Sequence, residues 1–216
     1  MAGEKPHSTA HQHSDSRLSA PSAARNLSPI LEAMGPFVPK QGVALELASG
    51  TGEHIVEYAR AFPDVIWQPT DIEPTRLNSI DAWRAEKGVQ NMRMAQFLDA
   101  SAPSWRTGPM SMIVTVNLMH LIDTQTARAV IAGVSRNLAP GASWFLYGPF
   151  RTGGAFRSEG DEAFHASLTA HDAQIGYKDL EKIEAWSAEV GLRQADLIEM
   201  PANNLAIVLR KTGGDS

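Results

Sequence analysis

Cysteine is absent from this chain of 216 residues. That absence excludes a disulfide framework, thiolate zinc sites and a cysteine nucleophile together, and it fits a reducing compartment. Positive charge is the second shortage. Lys and Arg number 19 against 24 Asp and Glu, a net charge of −5, which argues against the broad basic footprint of a nucleic-acid binder. Long apolar runs are missing too, since no stretch approaches the roughly 18 residues that a membrane-spanning helix needs. The first residues, Met1 to Ala20, are polar and hold no apolar segment of signal-peptide length. Together these shortages predict a soluble, cytoplasmic protein that meets neither nucleic acid nor membrane. What is present is length for one domain, enough to bury about 70% of the unfolded surface without a staple.

The stretch Val43 to His54, VALELASGTGEH, organises the rest. A short apolar run ends in Ala-Ser-Gly-Thr-Gly and passes straight into a helical pattern, Glu53 to Ala61. This predicts a buried strand, a tight turn and a helix N-terminus. Gly50 and Gly52 let the chain turn sharply and leave the main chain open to a ligand, which the free N–H groups of the helix start would also face. Such a turn is equally a packing device of any α/β protein. It lacks the third glycine of a dinucleotide fingerprint and the lysine of a P-loop. It has instead an acid inside the strand, Glu46. A carboxylate there repels phosphates and suits a cationic ligand or one offering an amine. The pattern Glu46-x-Ala48-x-Gly50-x-Gly52 resembles motif I of class I S-adenosylmethionine (SAM)-dependent methyltransferases, D/E-x-G-x-G-x-G, with Ala48 replacing the first glycine. The resemblance implies that Glu46, Ala48, Ser49, Gly50 and Gly52 hold the cofactor.

The remaining chain reads as partners for that strand. Residues 1–20 form a polar, mobile tail by composition. Its His7, His11 and His13 lack a carboxylate or thiolate framework, so no metal is expected. A helix over about residues 22–35 carries Ile30, Leu31 and Met34 at helical spacing, with Pro36 and Pro39 ending it. Arg25 and Asn26 at its polar start either cap and solvate it or touch ligand, if the helix folds over the site as a lid. A second strand, Val65 to Thr70, leads into Asp71, 19 residues after Gly52. There Rossmann-like folds bind ribose hydroxyls, although Asp71-Ile72-Glu73-Pro74 also reads as a helix start. A helix from Pro74 to Lys87 precedes a third strand, Met92 to Leu98, and Asp99.

The fourth strand, Met110 to Asn117, is nearly continuous in apolar character, as expected when both faces are covered. Asn117, Leu118 and His120 follow at its carboxyl end, where doubly wound sheets bind ligands. His120 is a general-base candidate because imidazole titrates near neutrality; packing against cofactor or bonding to backbone is the alternative. A helix over 124–138 and a fifth strand, Ala142 to Tyr147, lead into a glycine-rich, aromatic, basic insertion over about 148–177, with a short helix near 161–170. Tyr147, Phe150, Arg151 and Phe156 are candidate substrate contacts, against the alternative of a surface loop. A helix over 178–190, a strand from Leu192 to Met200 and a last strand from Leu205 to Arg210 complete the pattern. Asn203 and Asn204 are turn residues by type, with projection toward substrate as the alternative. Residues 212–216 read as a flexible tail.

Taken in order, several segments resemble DUF938-type class I SAM-dependent methyltransferases, the group of methyltransferase-like protein 26. They are Ala20 to Asn26, Leu45 to His54, Trp67 to Asp71, Asn117 to His120, Tyr147 to Phe150 and Met200 to Leu205, spread over roughly residues 20–210. The resemblance implies a Rossmann-like α/β fold: a seven-stranded, mostly parallel sheet with an antiparallel last strand and helices on both faces. It implies a single domain over 21–211, SAM as cofactor and S-adenosylhomocysteine as product. Leu98 and Asp99 would contact adenine, and Asn117 and Leu118 would lie beside the methyl donor. It says little of the acceptor. The enclosing insertion, the N-terminal helix and the acidic charge favour a small-molecule acceptor; a monomer or homodimer is expected. Two alternatives stand beside that reading: a SAM-binding regulatory or partner protein without catalysis, and a macromolecule methyltransferase. The latter lacks its usual N/D-P-P-Y/F motif, since Asn117-Leu118-Met119-His120 stands after strand four.

Overall fold

The structure, a computed structural model, describes residues 10–13 and 15–213. Apolar runs bounded by glycine and proline form strands, and the amphipathic stretches between them form helices that cover the sheet. In chain order the elements are β1 (His11–Gln12), β2 (Leu18–Ser19), α1 (Pro21–Met34), β3 (Gly42–Leu47), α2 (Glu53–Ala61), β4 (Val65–Asp71), α3 (Pro74–Lys87) and β5 (Gln96–Phe97). They continue as β6 (Met110–Val116), α4 (Thr124–Asn137), β7 (Leu138–Arg151), α5 (Glu159–His171), β8 (Lys178–Asp179), α6 (Leu180–Glu189), β9 (Leu192–Glu199) and β10 (Asn204–Lys211).

The main sheet runs β5-β4-β3-β6-β7-β10-β9, with the two-residue β8 beside β7. Neighbours are parallel except β10, which is antiparallel to both β7 and β9. The expected seven strands are the main path, and β8 adds an eighth. Strand order reverses between β3 and β6, which opens a crevice at their carboxyl ends. Side chains alternate along β7: Trp144 and Leu146 enter the core under α4 and α6, while Phe145 and Tyr147 enter the core under α1 and α2. Helix α1 buries Ile30 and Met34 completely in the second core, worth about 1.5–3 kcal/mol each.

Several boundaries differ from the sequence expectation. The third strand shrinks from Met92–Leu98 to Gln96–Phe97, with Met92 forming only a bridge to Trp67. Side chains replace the missing ladder: Gln68 Nε2 donates to Met94 O and Ala95 N–H donates to Asp81 Oδ1. The fifth strand grows in both directions: Leu138 pairs with Met110 of β6 at its start, and at its end β10 pairs with it as far as Pro149 and β8 pairs with Phe150 and Arg151. The insertion therefore leaves the sheet at Thr152, not at Gly148.

Residues 15–20, expected as part of a polar tail, are docked. Leu18 N–H donates to Ser79 Oγ (2.7 Å), Trp83 Nε1 donates to Leu18 O (2.8 Å), and the Arg17 guanidinium lies 4.9 Å from the Trp83 ring centroid. Residues 1–9, with His7, and 214–216 lie outside the described residues.

Candidate functional site

A cleft opens where β3, β6 and the β3–α2 turn meet. Its walls include Glu46 from β3, Ala48, Ser49, Gly50 and Thr51 from the turn, Val116 and Asn117 from the end of β6, and Ala20, Ser22 and Ala23 from the start of α1. Local sequence explains the turn. Ala48, Gly50 and Gly52 all take positive φ (54°, 60° and 92°), the left-handed region that glycine enters freely and alanine does not. A Cβ on Gly52 would lie 2.7 Å from Ile80 Cα, so this glycine lets α2 pack on α3 and does not itself line the cleft.

Glu46 is 2% exposed, and its Oε2 has no hydrogen-bond partner. Burial pushes its carboxyl up to about 8; a Ser49 hydrogen bond opposes this and the Asp71 charge adds to it. Asp71 is also sealed, but satisfied. Its Oδ2 accepts from Gly50 N–H (2.9 Å), and its Oδ1 accepts from Ile72 N–H (2.8 Å) and Glu73 N–H (3.0 Å). Arg76 Nη1 stands 3.8 Å from Oδ2 and reaches the cleft wall. Asp71 thus ties the glycine turn to the end of β4; it does not cap α3, whose N-cap is Glu73, and bonds only N–H groups ahead of that helix.

A polar chain links the other wall. His54 Nε2 is 2.8 Å from Asn26 Oδ1, Asn26 also bonds Tyr147, and the His54 ring stacks on Tyr58. Burial lowers His54 to about 4, against a hydrogen bond to the Ala23 backbone. A neutral, bonded imidazole of this kind is a poor base near pH 7. Asn117 holds φ at 56° and donates its N–H to Tyr147 O. A Cβ on Gly148 would lie 3.7 Å from Asn117 Oδ1 and 3.9 Å from His120 Nδ1, which places these groups together beside Gly148 of β7.

His120 itself is buried, packed edgewise on Phe164 and Tyr177. It stands behind the cleft wall, which Leu121 completes. The insertion is tied to its turn: Gly176 N–H donates to His120 O, and Lys178 Nζ donates to Ile122 O (2.6 Å) and Gly176 O (2.9 Å).

The remaining expected contacts scatter. Leu98 is buried in the core, Leu118 packs against that core, and exposed Asp99 folds back on Ser101 N–H and Oγ. Arg25 is exposed, outside the cleft wall. Phe150 is 1% exposed in the core under α4 and α6; two-residue alternation on the lengthened β7 turns it to the face opposite Tyr147. Arg151 pairs with Asp179 (Nε–Oδ1 2.9 Å) and covers the Phe156 ring. Asn203 is exposed and takes φ 58° in the β9–β10 turn, so it serves the turn. Sequence reading missed Thr51, Arg76, Ala20 and Ser22 as wall residues. Ile72, directly after Asp71, is 46% exposed and lies outside that wall.

Residues 17–211 match the model of the family described as "Protein of unknown function (DUF938)". Among solved structures, the fold is similar to an O-methyltransferase family protein from Burkholderia thailandensis, with 14% identity and a TM-score of 0.73 over 90% of this chain and 58% of that one. It is similar to an O-methyltransferase family 2 protein from Planctomyces limnophilus in complex with apigenin, with 18% identity and a TM-score of 0.71 over 89% and 62%. CalO1, a methyltransferase in calicheamicin biosynthesis in its S-adenosylhomocysteine-bound form, matches with 14% identity and a TM-score of 0.71 over 88% and 54%. This chain therefore spans little more than half the length of these proteins.

Proposed function

The chain belongs to the DUF938 family, and from the chemistry of its cleft we propose that it is a SAM-dependent methyltransferase acting on a small-molecule acceptor. The observation that carries this reading is the buried, unpartnered Glu46 Oε2 in the wall of a glycine-turn cleft. A buried carboxylate oxygen demands a donor, and the ammonium of an amino-acid ligand provides one. The surroundings fit the same group. Gly50 and Thr51 bring main chain without bulk to the wall; beyond it, Asp71 Oδ2 holds the turn at Gly50 and exposed Ile72 offers an apolar surface for a ring. Bound SAM would supply an activated sulfonium methyl for in-line displacement.

The protein's part is then alignment and exclusion of water. Holding an acceptor atom at about 3–3.5 Å is worth roughly 7–11 kcal/mol of barrier. Asn117, Tyr147 and Gly148 would form the floor on the acceptor side, with the insertion from Thr152 and the β9–β10 turn as walls joined by the Arg157–Glu199 ion pair. His120 would accept the proton of an alcohol or ammonium acceptor; a carboxylate or thiol needs no base. Its place behind the wall also favours a second reading, a SAM-binding protein without catalysis. Calorimetric titration with S-adenosylhomocysteine tests the shared premise. Micromolar binding by wild type, weakened at least tenfold in Asp71→Ala, is expected. A folded wild type that does not bind would refute it.

A further inference from the structure

Glu46 stands in β3 with its second oxygen out of water and without a hydrogen-bond donor. Burial and the Asp71 charge hold its proton on, against a Ser49 hydrogen bond that favours the ionised form. The turn brings Ser49, which bonds to the carboxyl, and β4 brings Asp71, whose charge opposes a second one. Helix α2 brings His54, kept neutral by burial, and Tyr58. From α3, Arg76 lies against Asp71, and β7 brings the Tyr147 phenol. A carboxyl so placed keeps its proton well above the ordinary carboxylate range, and burial, reinforced by Asp71, pushes Glu46 up to about 8.

We propose that donor capture in this cleft is a proton exchange: Glu46 carries a proton before the ligand arrives and releases it to solvent as the ligand's α-ammonium docks on Oε2. The Glu46 O–H bond breaks, the proton leaves to buffer, the ammonium keeps its three hydrogens, and an ion pair remains. This rests on the donor-site reading above and adds two properties. Binding strengthens with rising pH below the point where Glu46 ionises by itself, by up to about tenfold per pH unit. It also requires the amino-acid end of the ligand, which adenosine and thioether alone do not provide.

Calorimetry at pH 7 in phosphate and in Tris, two buffers of different ionisation enthalpy, counts the protons. The probes are S-adenosylhomocysteine and 5′-methylthioadenosine, which shares the adenosine and thioether but has no ammonium. The expected result is release of about one proton with the first and none with the second, with a five- to tenfold gain in S-adenosylhomocysteine affinity from pH 6 to pH 7. Glu46→Gln should bind more weakly and release none. Equal enthalpies in the two buffers on S-adenosylhomocysteine binding, or undiminished release in Glu46→Gln, would overturn the exchange and leave the donor site standing. Failure of both probes to bind would overturn the donor site and the exchange with it.

Discussion

Ala48 and Gly52 sit four residues apart in one turn and should respond in opposite ways to substitution. Ala48 holds φ at 54°, a left-handed conformation that costs a Cβ-bearing residue about 1–2 kcal/mol. Ala48→Gly relieves that strain while loosening the unfolded chain, so a net gain of up to about 1 kcal/mol is expected in urea denaturation. Gly52→Ala meets both a φ of 92° and Ile80 Cα at 2.7 Å, and a loss of about 3 kcal/mol or more is expected. At this scale the sequence was legible where backbone geometry dictates residue type. Glu46, Ser49, Gly50 and Asn117 reach the cleft as read, because a glycine turn and a strand end leave them nowhere else to go. Phe150 was misplaced because its face depends on where β7 ends, and a strand pattern does not mark that end when a partner strand extends it. Asp71's three N–H partners were equally hidden, since they come from the folded turn.

Elements are joined by a few side chains that each hold two things. Ser79 Oγ accepts from Leu18 N–H and donates to Thr51 O, while Glu53 Oε2 accepts from both Ala20 N–H and Thr51 Oγ1. The segment before α1 and the ligand turn are therefore clipped to the same supports. Ser79→Ala should speed amide exchange across residues 17–20 and cost about 1–2 kcal/mol; unchanged exchange there would remove the clip. His54 joins α2 to α1, and its folded value near 4 lies below the ordinary 6.5. Between those values the unfolded chain takes up a proton that the fold refuses, so stability present at neutral pH is lost as pH falls through the window. The loss is up to about 3 kcal/mol. Melting curves from pH 7 to pH 4 should fall more steeply for wild type than for His54→Gln. Helices α2 and α3 were readable almost to the residue from periodicity and caps. The docking of residues 15–20 was not, because it rests on α3 side chains distant in sequence.

The whole sheet follows from alternation of strand and helix, with the terminal hairpin placing β10 antiparallel between β7 and β9. The mostly parallel sheet with an antiparallel last strand was implied by the resemblance; the strand order itself comes from the fold, puts the reversal beside the glycine turn and so decides where a ligand can sit. What alternation does not encode is the acceptor, because its surroundings come from the insertion and the hairpin turn. The most direct test of methyl transfer uses SAM labelled with tritium on its methyl group. The protein is incubated with cell extract divided into small-molecule and macromolecular fractions. Label is expected to move into the small-molecule fraction at a rate proportional to protein, and at least tenfold more slowly with Asp71→Ala. Label confined to macromolecules, or no transfer by a protein that binds S-adenosylhomocysteine, would contradict a small-molecule methyltransferase.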